Sequence, residues 1–234
     1  MGGDQEIAFT SGHGLILEER PQKDEEMRPQ SGRQAIVPPH HCKAVFERLS
    51  VAFSGETAYQ VFCNDELGTR IDEEVPYVEV GSPALFNYPF VHMTGHGNVV
   101  FTPSEARNLR TWLEAGGFLH ISDNYGMDVF IRKEMEKVFP DLDWVELPFE
   151  HPLYHAAYDF NDGPPKVHEH DGEAARGFGL LLDGRLVCYY DHECDLGDGW
   201  EDYAVHRDPE AVRRRALEMG ANLVTFAMAG GRDD

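Results

Sequence analysis

The sequence predicts an α/β fold: a three-layer arrangement in which helices cover both faces of a mostly parallel, doubly wound sheet. Short apolar segments typical of buried strands alternate with amphipathic helical segments, and the connections between them are short. We expect Phe90–Thr94 and Phe118–Ile121 to be neighbouring parallel strands, with a helix over 102–115 crossing between them. A hairpin signal at Asp183-Gly184 predicts antiparallel strands added at one side of the sheet.

The amino-terminal region has the weakest pattern. We interpret residues 1–41 as an irregular extension and residues 42–230 as a single α/β domain. Within the extension, Glu6–Thr10 and Leu15–Glu19 can pair as a hairpin. The segment Ala44–Phe53 fits both a helical face and an alternating strand.

Helix-start signals locate the helices that follow. Thr102 as N-cap, Pro103 in the first turn and Glu105 form a capping box, and Gly116-Gly117 ends that helix. Asp208 is predicted to cap the last helix. The remaining predicted elements are helices over Glu56–Leu67 and around 130–138, and strands over Tyr77–Val80, Trp144–Leu147, Leu180–Leu182 and Leu186–Tyr190.

Composition excludes several functional classes. The formal net charge of -22 disfavours nucleic acid and anionic membrane surfaces as partners, and it favours cations. No apolar run approaches the roughly 20 residues of a spanning helix, so we expect a soluble protein with no membrane insertion. Residues 1–6 lack the features of a signal peptide, which predicts a cytoplasmic protein; the alternative is a secreted or periplasmic protein whose signal was removed.

Several motifs resemble those of the domain of unknown function 4159 family. They are Phe86-Asn87-Tyr88-Pro89-Phe90 with Met93-Thr94-Gly95-His96-Gly97, Leu113-Glu114-Ala115-Gly116-Gly117-Phe118-Leu119 with Asp123, His151-Pro152-Leu153-Tyr154, and Met219-Gly220-Ala221-Asn222. The resemblance covers residues 43–229 and implies a flavodoxin-like fold, akin to the class I glutamine-amidotransferase superfamily, without implying an activity. It favours a strand for Ala44–Phe53. Amidotransferases place a nucleophilic cysteine after a central strand, whereas here Ser122-Asp123-Asn124 follows, which argues against thiol chemistry.

Two polar segments follow the predicted parallel strands, where ligands bind in doubly wound sheets. In Gly95-His96-Gly97 the glycines allow close approach of a ligand, and His96 can act as a base. In the second segment Asp123 can bind a metal or a substrate hydroxyl, and Asn124 can orient the bound group. The structural alternatives are a tight turn for the first segment and an N-cap for the second.

The sequence also predicts a divalent metal site. His168 and His170 share one face of an extended chain, and Glu193 and Asp195 alternate in the acidic run 191–202. The alternatives are a polar loop and a solvated acidic loop. Tyr154 is a candidate ligand-binding residue or else a core aromatic.

The predicted function is binding of a small molecule or carbohydrate, and a metal-assisted hydrolase is one form that this function can take. The pocket would be built from His96, Asp123, Asn124, Glu193 and Asp195. The alternative is a non-catalytic protein-interaction module. Convergence of the polar clusters in one site distinguishes the two hypotheses.

Overall fold

The computed structural model describes residues 7–10, 14–18, 41–44, 58–69, 77–96 and 98–231. The strands are β1 Ile7–Thr10, β2 Gly14–Glu18, β3 His41–Ala44, β4 Tyr77–Val78, β5 Phe90–His96, β6 Phe118–Tyr125, β7 Val145–Glu146, β8 Arg176–Leu182 and β9 Arg185–His192. The α-helices are α1 Ala58–Leu67, α2 Pro103–Glu114, α3 Asp128–Val138, α4 Leu196–Trp200, α5 Tyr203–His206 and α6 Glu210–Met228. None of these helices combines the length and the apolar character needed to cross a bilayer.

The larger sheet has the strand order β5-β6-β9-β8-β7. Strand β6 is parallel to β5 and to β9, whereas β8 is antiparallel to both β9 and β7. The predicted parallel pairing of Phe90–Thr94 with Phe118–Ile121 is therefore confirmed, with Phe90 opposite Phe118. The sheet as a whole is mixed, however, because two of its four pairings are antiparallel.

The β5–α2–β6 unit forms because its local signals agree with its packing. Thr102 Oγ1 accepts a hydrogen bond from the backbone N–H of Glu105, and Glu105 Oε2 accepts one from the N–H of Thr102. One stripe of α2 is buried, including Trp112. The backbone of Gly117 passes so close to this ring that a Cβ there would lie 2.4 Å from it. Only glycine therefore allows the chain to turn from α2 into β6 at this position.

A two-residue turn connects β8 to β9. Asp183 and Gly184 have φ angles of 51° and 76°, and Leu182 pairs with Arg185 beside them. Two successive positive φ angles are typical of the type I′ turn, whose twist matches that of antiparallel strands. The start of β8 and the end of β9 therefore lie at the same end of the sheet, with Arg176 opposite His192.

A second sheet has the antiparallel order β3-β2-β1-β4. In it Ala8 is opposite Ile16, in the region where the sequence predicts an amino-terminal hairpin. Of the ambiguous segment Ala44–Phe53, only Ala44 lies within the described residues, as the last residue of β3. The boundary at residue 42 stays a prediction.

Helix α6 supplies much of the core, and its buried face includes Ala216, Gly220 and Phe226. Its predicted cap is wrong. Pro209 occupies the N-cap position, and the helix has no side-chain cap hydrogen bond. The Asp208 carboxylate instead contacts His168 at 3.1 Å. The Asp208 side chain thus binds a residue distant in the sequence, whereas the local pattern predicts that it caps α6.

Candidate metal centre

The β8–β9 hairpin brings together the segments that precede and follow it. Because Arg176 and His192 are paired, the chain entering β8 lies beside the chain leaving β9. The backbone N–H of Val167 donates a 2.7 Å hydrogen bond to the carbonyl oxygen of Cys194, which joins the two segments directly. Tyr125, the last residue of β6, lies with its ring 4.9 Å from that of His170. The two segments therefore meet at the carboxyl end of the parallel strands.

His168 lies among three carboxylates. Its Nδ1 is 3.2 Å from an oxygen of Asp195 and 3.2 Å from an oxygen of Asp198, while its Nε2 is 3.1 Å from Asp208. Hydrogen bonds to Asp195, with the larger effect, and to Asp198 raise the pKa of His168 to about 10. The imidazole is therefore a cation at neutral pH, and it balances part of the negative charge around it.

Two further histidines complete the cluster. His170 Nε2 lies 2.5 Å from Asp195 Oδ2. His206 Nε2 lies 3.8 Å from Asp198 Oδ2 and 2.9 Å from Glu201. One ligand atom each from His168, Asp198 and His206 lie within 4.8 Å of one another. Two imidazole nitrogens and a carboxylate oxygen are thus close enough to bind a single metal ion.

Asp195 is the most unusual member of the cluster. The residue is fully buried, and burial raises the pKa of its carboxyl group. Its Oδ2 contacts both His168 and His170, but its Oδ1 is buried without a hydrogen-bond partner among the described residues. Asp195 and Glu193 both have left-handed backbones, with φ of 54° and 59°. Such strain in non-glycine residues is typical of functional sites.

Packing against α6 holds the carboxylate-bearing turn in place. Asp195 occupies the N-cap position of α4, and Asp198 lies within that helix. Trp200, at the end of α4, donates a 2.8 Å hydrogen bond to the carbonyl oxygen of Ala216. Arg213 donates from two nitrogens to the carbonyl oxygen of Glu201, just after α4. The positions of Asp195 and Asp198 are thus fixed by the core.

Glu193 does not join the histidine cluster. Its Oε2 lies 3.1 Å from Lys166 Nζ, which also contacts Glu169 at 3.0 Å. Lys166 therefore balances the charge of the Glu193 carboxylate, for which the sequence pattern predicts a metal ion. Of the four predicted metal ligands, the structure therefore brings together His168, His170 and Asp195.

Asp123 is not the N-cap residue of α3, which is Met127, but its carboxylate binds the backbone at the start of that helix. Its carboxylate accepts hydrogen bonds from the backbone N–H groups of Met127 at 2.9 Å and Asp128 at 3.2 Å, and from the Tyr190 hydroxyl at 3.1 Å. Burial raises the pKa of Asp123, although these hydrogen bonds oppose the change. The side chain thus connects β6, β9 and the amino-terminal end of α3.

The other predicted site residues have different surroundings. Gly95 is a buried residue of β5, next to a register irregularity at His96, and a Cβ at Gly95 would meet no atom of the described residues within 4 Å. Gly97 and the side chains of His96 and Asn124 lie outside the described residues. Tyr154 is fully buried, with its hydroxyl 3.4 Å from that of Tyr189, as expected for a core aromatic.

Sequence reasoning missed three members of the cluster. Asp198 lies in the acidic run 191–202 that suggests metal binding, but its spacing from the histidines does not indicate that they share an ion. The local pattern predicts a helix cap for Asp208, and His206 has no metal-ligand residue at a recognisable spacing. Both reach the cluster through tertiary contacts, Asp208 with His168 and His206 with Asp198.

Comparison with known proteins agrees with the motifs in the sequence. A search of curated proteins finds no match to this chain. The family model described as "Domain of unknown function (DUF4159)" matches residues 50–228, which include β5, β6, the β8–β9 hairpin and every member of the histidine cluster. The chain therefore belongs to the DUF4159 family.

Proposed function

We propose that this chain binds a divalent transition-metal ion between His168, Asp198 and His206, and uses it for metal-assisted hydrolysis of a small molecule. The observation that carries the proposal is the approach of these three ligand atoms to within 4.8 Å of one another. The buried Oδ1 of Asp195, which has no hydrogen-bond partner in the part of the chain that the structure describes, supports it, because such an oxygen is costly unless a cation or donor satisfies it.

The mixture of donor atoms favours a transition metal over calcium or magnesium. Imidazole nitrogens suit zinc and its neighbours, whereas calcium and magnesium prefer ligand sets made entirely of oxygen. A metal ion would replace the proton between His168 Nδ1 and Asp198. Asp208 would then accept the remaining N–H of His168, as second-layer carboxylates do for metal-bound histidines.

The surroundings also favour a class of substrate. A protein with a net charge of -22 repels anions, so a neutral, hydroxyl-rich molecule fits the site better than a phosphorylated one. Tyr125 is 49% exposed and lies beside His170, where its ring offers a face on which a sugar can stack. The proposal includes the three-layer, flavodoxin-like arrangement, in which ligands bind at this end of the sheet.

The metal-binding step can be tested without knowing the substrate. Elemental analysis of purified protein and calorimetric titration with zinc should show one bound ion, and His206→Gln should weaken binding at least about tenfold. His155→Gln is the matched control, because His155 also contacts a carboxylate, Asp159, but lies outside the cluster. Wild-type protein that binds no zinc would contradict the proposal and favour the interaction-module alternative.

A further inference from the structure

A second network of polar side chains is buried inside the sheet. His92 on β5, His120 on β6 and Asp191 on β9 lie on three adjacent strands, and all three are fully buried. His92 Nδ1 lies 2.6 Å from His120 Nδ1, and His120 Nε2 lies 2.5 Å from Asp191 Oδ2. Ser122 donates a 2.9 Å hydrogen bond to the other oxygen of Asp191. The network is a continuous chain from a carboxylate through two imidazoles.

This geometry restricts where protons can be. Two Nδ1 atoms 2.6 Å apart need one proton between them, since two facing lone pairs would repel. With Asp191 ionised and both imidazoles neutral, the network carries one negative charge, and His92 Nε2 holds a lone pair. One added proton makes the network neutral overall, which burial favours.

The added charge belongs on His120 rather than on His92. Burial, and to a smaller extent the proximity of His120, lower the pKa of His92 well below its usual value. His120 instead faces Asp191, whose carboxylate can balance an imidazolium. The other titratable groups nearby are Tyr189, whose ring lies 5.8 Å from that of His120, and Asp123. Burial, with a smaller contribution from the Asp123 charge, raises the pKa of Asp191, and the hydrogen bond with His120 opposes this change.

The outer end of the network faces α4. His92 Nε2 is buried and has no hydrogen-bond partner among the described residues. A Cβ added to Gly197 would lie 3.2 Å from this nitrogen and 3.6 Å from Thr94 Oγ1. Gly197 stands between Asp195 and Asp198 in the sequence, so His92 Nε2 lies under the turn that carries both carboxylates. Trp200 covers the two imidazoles, with ring centroids 4.6 Å and 5.4 Å away.

We propose that Asp191, His120 and His92 form a proton relay whose outer nitrogen, His92 Nε2, accepts a proton released at the candidate metal centre on the other side of the α4 turn. The proposal rests on the proposed function. A water molecule held at the centre would lose this proton: its O–H bond breaks as an N–H bond forms at His92 Nε2, leaving hydroxide for the hydrolysis, and the proton between the two Nδ1 atoms moves to His120. The positive charge then lies on His120 beside the Asp191 carboxylate. No electrons are transferred, and the network gains one proton.

The relay is tested by nitrogen NMR of ¹⁵N-histidine protein, without and with zinc, at constant pH. We expect zinc binding to convert His92 Nε2 from an unprotonated to a protonated nitrogen. Gly197→Ala places a methyl group in the space below the turn, where the neighbours need to shift by only a few tenths of an ångström. It should retain zinc binding and lose the change at His92. Gly81→Ala, at an exposed turn where the added Cβ would lie 3.3 Å from the Glu105 side chain, is the control that should behave like wild type.

The outcomes separate the two proposals. Zinc binding that leaves His92 Nε2 unchanged in wild-type protein would overturn the relay alone. If zinc protonates His92 Nε2 in Gly197→Ala as it does in wild type, the space between Gly197 and His92 has no role in the relay. Wild-type protein that binds no zinc would overturn the metal centre and the relay together.

Discussion

His168 and Asp195 are joined by a 3.2 Å contact between Nδ1 and Oδ2, although 27 residues separate them in the chain. The contact gives His168 a partner that exists only in the folded protein. Because the cluster raises the pKa of His168 from 6.5 to about 10, the folded state holds a proton that the unfolded state releases at lower pH.

The first prediction concerns stability against pH. The folded pKa lies above the unfolded value, so the stabilisation is fully present below pH 6.5 and is lost as the pH rises through about 10. Urea unfolding across this range should show the free energy of unfolding of wild type falling towards that of His168→Gln. Parallel curves for the two proteins would contradict the prediction.

The second prediction concerns the pH dependence of metal binding. An ion that replaces the His168 proton competes with it, so zinc affinity should rise about tenfold per pH unit between about pH 6 and pH 8. Calorimetric titration at three pH values measures this slope. An affinity independent of pH would show that the ion does not displace a proton from the cluster.

The third prediction concerns Asp123. Removing its carboxylate leaves the N–H groups of Met127 and Asp128 without this acceptor, so Asp123→Ala should lower the free energy of unfolding by about 1–3 kcal/mol. The sequence-based hypothesis of a ligand-binding role instead expects an intact fold. Chemical denaturation measures the difference, with Ala in place of the exposed Asp141 as the control. Equal stability of the two variants would favour the ligand-binding hypothesis.

The fourth prediction concerns Gly220 on α6. A Cβ there would lie 2.5 Å from the Tyr59 ring and 3.0 Å from the Trp200 ring, so Gly220→Ala should destabilise the fold by about 1–3 kcal/mol. Gly95→Ala, whose added methyl group would meet no described atom within 4 Å, should cost far less. Thermal denaturation of the two variants gives the comparison, and equal melting temperatures would refute the packing argument.

The fifth prediction concerns salt. A net charge of -22 implies strong self-repulsion in the folded chain, and counterions screen it. The melting temperature should therefore rise as potassium chloride increases from low to molar concentration. A flat or falling curve would mean that specific ion pairs outweigh the general repulsion.

The sequence predicts elements well where one short segment contains the whole signal. The capping box of Thr102 and Glu105 is present, and Phe90–Thr94 lies parallel to Phe118–Ile121 as expected. The prediction fails where a distant residue competes. Asp208 has the residue type and position expected of a helix cap, yet it contacts His168, which is 40 residues away in the sequence. The antiparallel share of the sheet is also underestimated. Trp144–Leu147 is predicted as a strand, but its sequence does not indicate that β7 pairs antiparallel with β8.

The candidate site divides in the same way. His168 and His170 alternate in one short segment, and the hairpin places them against Asp195. Tertiary packing brings in His206, so no spacing rule finds it. The network of His92, His120 and Asp191 cannot be predicted from the sequence for another reason. Each residue lies within an apolar strand sequence, and only the order of the strands makes them neighbours.

The I′ turn at Asp183-Gly184 and the cluster of His168 and Asp195 lie at opposite ends of one hairpin. The turn connects the two strands through the covalent chain, whereas noncovalent contacts that depend on protonation hold the other end of the hairpin together. Opening at the cluster end requires breaking the His168 contacts before β8 can separate from β9, and a bound ion would make this opening rarer. Fraying of the sheet at this end is therefore thermodynamically linked to occupancy of the site, so local unfolding reports on binding even where the overall fold does not change.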